Sequence, residues 1–327
     1  MNRREFLGSS MIGAPLASGS AQDEQSIPRE PVAGGTGGVS YDVDVTIERK
    51  RSGKPHAGKM LAAIQPHCDD VPIFAGGTVL KLIDEGYRGI LINLTDDSMA
   101  GEGSSIGDIT LKNENDTVEV AKRLGLEEVF FLNYPNHNLD GWPLLEMRAR
   151  LIFIFRLMKV DTVVCYDPSS LYDRNPDHTV TAKAVESACW MARSKWDYPE
   201  HFKAGLTAHG PADKYYFARG PQLVNRVVDT SDYIDAKVHC NIANVTQGPS
   251  GSNGARLRRE LAERGRRLPI LGDDDDTANR EYTKHIAFRR DRLRGMQHGL
   301  EYAELFHYSP ADDDYEGEYV REHSVPL

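Results

Sequence analysis

The chain has 327 residues, 40% of them hydrophobic, enough for one large α/β domain or two small ones. Its 49 acidic residues outnumber 39 basic ones, and the formal charge of −10 argues against nucleic acid or an anionic membrane surface as main partner. A neutral or cationic small substrate fits better, and four cysteines (Cys68, Cys165, Cys189, Cys240) with no CxxC pair exclude a disulfide framework.

At the N-terminus, Asn2-Arg3-Arg4-Glu5-Phe6-Leu7-Gly8 resembles the twin-arginine export signal, and the small residues from Ala17 to Ala21 offer a cleavage site. The apolar part is too short and too rich in Gly and Ser to span a bilayer. Residues 1–21 are therefore expected to be a signal peptide, which places the protein in the periplasm or outside the cell. Residues 22–56 are polar and rich in Gly, Pro and Ser, and read as a tether with one candidate edge strand at Tyr41–Glu48.

From Lys59 short apolar runs alternate with segments of helical period. Strands are expected at Met60–Gln65, Gly89–Thr95, Val129–Asn133 and Thr162–Asp167. Helices are expected at Ala75–Glu85, Ile109–Leu124 and Leu144–Lys159, and another from Asp177 after Pro176. This alternation predicts a doubly wound, Rossmann-like α/β fold: a mostly parallel sheet with helices on both faces. Further on, Lys214–Ala218 reads as a strand, Asp232–Val245 as a helix and Gly248–Gly254 as a flexible loop. The charged stretch Arg256–Arg267 and the acidic run Asp273–Asp276 read as solvated surface, with a lid over the site as the sharper alternative. The domain is expected over 57–310, with a charged insertion at about 248–280 and a C-terminal tail at 311–327.

Two clusters carry the chemistry. Pro66-His67-Cys68-Asp69-Asp70 follows the first of these strands, and Asn175-Pro176-Asp177-His178 follows the fourth. In an open α/β sheet both fall on the rim where ligands sit. The spacing His67-x-x-Asp70 lets two side chains of one tight turn face a common ion, and His178 supplies a third ligand. Asp69 is left adjacent and unspent, placed to take a proton from water as general base. Gly76-Gly77-Thr78 lacks the GxGxxG pattern, so a dinucleotide site is not expected.

These residues resemble the PIG-L, or LmbE-like, family of zinc-dependent deacetylases, which act on N-acetylglucosamine-type sugars. Its opening motif, Ala-His-Pro-Asp-Asp-Glu, is similar to Pro66–Val71, and its second, His-Pro-Asp-His, is similar to Asn175–His178. Weaker likenesses cover Leu94–Asp97, Phe131–Asn136, Val228–Ser231, Thr246-Gln247 and Tyr302–Phe306, so the resemblance runs from about Lys59 to Tyr308. It implies zinc (Zn2+) held by His67, Asp70 and His178, with Asp69 as general base. It also implies that residue 175 stabilises the oxyanion and that Asp177 orients it. The departures are Cys68 for Pro, Val71 for Glu, Asn175 for His and Asn136 where Asp is frequent. Asn175 donates a hydrogen bond but no proton, and Tyr172, Arg174 and His137 are the neighbours from which compensation would come.

The expected function is therefore an exported zinc-dependent hydrolase that removes an N-acyl group, chiefly acetyl, from an amino sugar or glycoconjugate. Hydrolysis of another amide or thiol conjugate, or a non-catalytic metal-dependent sugar-binding module, are the rival readings. No nucleic-acid partner or membrane span is expected, and the sequence leaves the oligomeric state open.

Overall fold

The computed structural model describes residues 45–247, 251–310 and 315–326. The expected signal peptide and residues 22–44 of the expected tether lie outside the described residues. The strands are β1 (Thr46–Glu48), β2 (Met60–Gln65), β3 (Arg88–Thr95), β4 (Glu128–Tyr134), β5 (Val160–Tyr166), β6 (Asp213–Phe217), β7 (Arg226–Asp229) and β8 (Ala303–Ser309). They form one sheet in the order β1-β7-β8-β6-β5-β2-β3-β4. From β6 to β4 every pairing is parallel, and β8 runs antiparallel to both of its neighbours. The central strands β2, β3 and β5 are near-continuous apolar runs because both of their faces are covered.

The helices are α1 (Asp70–Phe74), α2 (Gly76–Asp84), α3 (Ile106–Arg123), α4 (Leu144–Met158), α5 (Pro176–Ala192), α6 (Pro199–Lys203), α7 (Ile234–Asn241), α8 (Asn253–Glu263), α9 (Asp275–Tyr282), α10 (Arg289–Gln297) and α11 (Tyr315–His323). Local chemistry sets their ends. Ser105 caps α3 by accepting from the Asp108 N–H, and Asn175 caps α5 by accepting from the Asp177 N–H, with Pro176 in the first turn. After α2 and α3 the chain turns at Gly86 and Gly125, both at positive φ. Helix α4 packs on α5, while α1, α2 and α3 pack on α7, so the sheet is wound on both faces.

The edge strand expected within Tyr41–Glu48 is present as β1, paired with β7 at the sheet edge, while Glu48 and His56 of the expected tether are buried. Within the expected charged insertion lie α8 and α9, joined by ion pairs from Arg258 and Arg259 to Asp275. The expected tail contains α11. The helix expected at Asp232–Val245 is shorter, a 3-10 turn at Ser231–Tyr233 followed by α7.

Strands β7 and β8 were not foreseen. They are fastened by a buried charge cluster in which the Lys237 ammonium, on α7, lies 2.6 Å from both Asp291 and Glu304. The Glu304 carboxylate also accepts from the Gly77 and Thr78 N–H groups at the start of α2. A second buried cation, Lys81, bonds to Glu48 and Glu85 and so ties β1 to α2.

Candidate metal centre and active site

Strand order reverses between β2 and β5: the chain leaves β2 toward β3 and β4, then crosses back to β5 and β6. A crevice opens where neighbouring connections diverge in this way. The turn after β2 delivers His67, Asp69 and Asp70, and the loop after β5 delivers Asp173, Asn175, Asp177 and His178. Tertiary structure thus brings together two clusters about a hundred residues apart.

The His67 Nδ1 lies 3.2 Å from Asp70 Oδ2 and 3.2 Å from His178 Nε2, and His178 Nε2 lies 3.6 Å from Asp70 Oδ1. All three residues are buried and offer their donor atoms around one point. A tetrahedral zinc ion with ligand bonds of about 2.0–2.1 Å needs donors roughly 3.3–3.4 Å apart, which this spacing meets. The outer nitrogens are held as well. His67 Nε2 lies 3.1 Å from Asp177 Oδ2, and His178 Nδ1 lies 2.8 Å from Asp173 Oδ2. A carboxylate only accepts, so each outer nitrogen carries a proton, and the inner nitrogens would give up any proton of their own to present lone pairs to a bound ion.

The Tyr166 hydroxyl donates to Asp70 Oδ1 at 2.5 Å, and its ring stacks on His178 with centroids 4.1 Å apart. Asp70 therefore has little rotational freedom. Burial alone would lower the His67 pKa, but hydrogen bonds to Asp177 and Asp70 outweigh it and hold the imidazole well above its ordinary value. The cluster is an electrostatic well for positive charge. Asp69 is shifted upward, first by burial and then by the Asp70 carboxylate beside it, with His67 opposing.

A cavity of 390 Å³ opens onto this cluster, walled in part by Asp69, Phe74, His137, Asn175, Arg219 and Gln247. Asn175 is on the wall, with its Oδ1 committed to capping α5. Asp177 is not paired with the residue 175 side chain in the way the resemblance implies. Its carboxylate bonds to His67 and accepts from the His137 and Leu139 N–H groups. Of the three neighbours weighed as compensation for the missing imidazole, only His137 lines the cavity. Tyr172 is 85% exposed and lies off the wall. Asn136 is buried and bonds to Asp96 and Thr95, away from the wall.

Cys68 stands outside the donor cluster. Its thiol is buried against Asn244 and accepts from Gln247 Nε2, while its N–H donates to Asp97. Asp97, at a positive φ that Asp tolerates, bonds also to Asn93 and Gln247 and braces the metal-site turn. Burial pushes the Cys68 thiol well up in pKa, away from the thiolate that a metal takes. Tyr166 and Arg219 escaped sequence reasoning, and Asp173, placed on the rim with the second cluster, was given no role. A tyrosine ending a strand and an aspartate five residues before a ligand histidine were the available signals.

A doubly wound sheet with a His-Asp-His donor set at its switch point is the class of protein that fold and site define. Residues 62–189 match the family model described as PIG-L: GlcNAc-PI de-N-acetylase. Diacetylchitobiose deacetylase of Thermococcus kodakarensis is 26% identical over 195 residues, covering 58% of this chain and 71% of the relative. A Mycobacterium protein, 1D-myo-inositol 2-acetamido-2-deoxy-alpha-D-glucopyranoside deacetylase, is 24% identical over 239 residues, covering 59% of this chain and 76% of its own. The solved N,N'-diacetylchitobiose deacetylase of Pyrococcus horikoshii superposes with a TM-score of 0.61 at 23% identity, over 77% of this chain and 84% of that one. This last likeness is one of fold.

Proposed function

We propose that this protein is an exported zinc-dependent N-deacetylase acting on an N-acetylated amino sugar within a glycan or glycoconjugate. The convergence of His67 Nδ1, His178 Nε2 and the Asp70 carboxylate on one point, with Asp69 alongside on the cavity wall, carries the reading. Relatives that are deacetylases of amino sugars support it. His67, Asp70 and His178 would hold a divalent ion, which would supply Lewis acidity toward the amide carbonyl and the attacking water.

The chain's own residues do the rest. Asp69 accepts the proton of the attacking water and then returns it to the leaving amine. The Asn175 amide donates toward the oxygen on which negative charge develops. His67 and His178 stay fixed through their bonds to Asp177 and Asp173, and Phe74 keeps part of the cavity wall apolar. The products are acetate and a free amine.

The test is to measure zinc content and amine release from N-acetylglucosamine oligomers by the purified protein. Asp69→Asn is expected to lower release about 10²-fold to 10⁴-fold with zinc content unchanged. Zinc and sugar binding without release by the native protein would instead identify the non-catalytic binding module. Export is tested by fractionating cells with and without an Arg3→Lys, Arg4→Lys change.

A further inference from the structure

Strand β6 sends successive side chains to opposite faces of the sheet. The Tyr215 hydroxyl reaches Glu48, while Tyr216 points to the other face, beneath α5. Tyr216 is only 3% exposed, yet its hydroxyl has no hydrogen-bond partner among the described residues. A buried donor of this kind calls for a partner that the protein does not supply.

Tyr216 lines a cavity of 200 Å³ that shares no lining residue with the one at the metal centre. Its floor is built from two cross-strand pairs of β6 and β8, Tyr216 with His307 and Lys214 with Ser309. Helix α5 supplies the wall through Glu186, Trp190 and Arg193. Trp190 is 76% exposed, so an apolar ring face stands in water at the edge of a polar cavity. From His178 to Trp190 the helix advances about 18 Å at 1.5 Å per residue, which separates the two sites.

We propose that this cavity binds one pyranose unit of an N-acetylglucosamine oligomer, its apolar ring face on Trp190 and its hydroxyls on Tyr216 and the polar side chains around it. The lining chooses the ligand class. Lys214 and Arg193 stand with Glu186, so a bare anion meets a carboxylate and a bare cation meets two positive groups. Sugar hydroxyls both donate and accept, and satisfy both signs at once. The volume lies below the roughly 300–1,000 Å³ of drug-sized sites and suits a single ring. The nature of the glycan rests on the amino-sugar reading above, whereas the site itself does not depend on catalysis.

Nitrogen-15 NMR of the full chain, carrying Asp69→Asn to prevent turnover, tests this. Three tryptophans give three indole N–H signals, and Trp190→Phe assigns the one in question. Titration with the N-acetylglucosamine tetramer is expected to move the Trp190 signal saturably. Tyr216→Phe is expected to weaken that binding about fivefold to tenfold while leaving the signal of the free protein in place. A Trp190 signal indifferent to the tetramer at millimolar concentration overturns the proposal, as does a Tyr216→Phe affinity equal to that of the parent. Trp190→Ala, at an exposed position, gives a second variant free of folding concerns; followed by isothermal titration calorimetry with the same tetramer, it is expected to lose the binding that the parent shows at this site, and binding equal to the parent's overturns the proposal. Amine release by the native chain is measured separately, so failure of the deacetylase reading and failure of this site give different results.

Discussion

Asp173 Oδ2 lies 2.8 Å from His178 Nδ1, five residues on, and so fixes which imidazole nitrogen faces the metal centre. Asp173→Asn replaces an obligate acceptor by an amide able to present its NH2. Metal affinity is expected to fall about 10-fold to 100-fold, as for other carboxylate partners of ligand histidines. Competition with a chromogenic chelator reads this directly, and unchanged affinity removes Asp173 from the metal-holding machinery.

Asn175 has two tasks, and one substitution separates them. Serine caps a helix about as well as asparagine but lacks the amide donor. Asn175→Ser is expected to keep the melting temperature while lowering kcat for amine release by about 10²-fold, the usual loss for one oxyanion donor. Were kcat to stay level, the residue would be a cap and nothing more.

Buried and exposed ion pairs are expected to differ sharply. Lys237→Met leaves Asp291 and Glu304 facing each other in the interior without their shared cation, a loss of about 3–5 kcal/mol in urea denaturation. Arg259→Gln breaks an exposed, solvent-screened pair with Asp275 and is expected to leave the urea midpoint nearly unchanged. Equal losses would contradict the packing described for β8 and α7.

Acid sensitivity is expected to run through Glu48. Burial alone would raise its pKa, but Lys81 and Arg226 beside it hold the carboxyl below its ordinary 4.5. A depressed folded value contributes stability above the unfolded value, and that contribution is lost as pH falls through the folded one. Glu48→Gln removes this titration, so the variant is less stable at neutral pH and its urea midpoint declines less steeply from neutral pH to about pH 4. Parallel declines in variant and parent would assign the acid limb to other groups.

How much was legible follows from which forces are local. The strand Met60–Gln65 was readable to the residue because a buried parallel strand is an uninterrupted apolar run. The start of α5 was readable because Pro176 and the residue before it mark a helix entry. The polar, four-residue β7 and the mixed β8 were not, because pairing across nearly eighty residues, not their own composition, makes them strands. Cys68 and Asn175 could be recognised as departures, but the partners that absorb them, Gln247 and the Asp177 N–H, come from contacts in the folded chain.

By itself the sequence determined the alternating α/β plan and singled out His67, Asp70 and His178 as candidate ligands, because periodicity and ligand chemistry are written in residue type and short spacing. Only the tertiary structure decided that His67 and His178 meet over Asp70, that Asp177 serves His67, and that Tyr166 and Asp173 complete the site. These are decisions of strand order: β2 and β5 become neighbours through pairing over a hundred residues of chain, and no local pattern encodes which side chains then share one crevice.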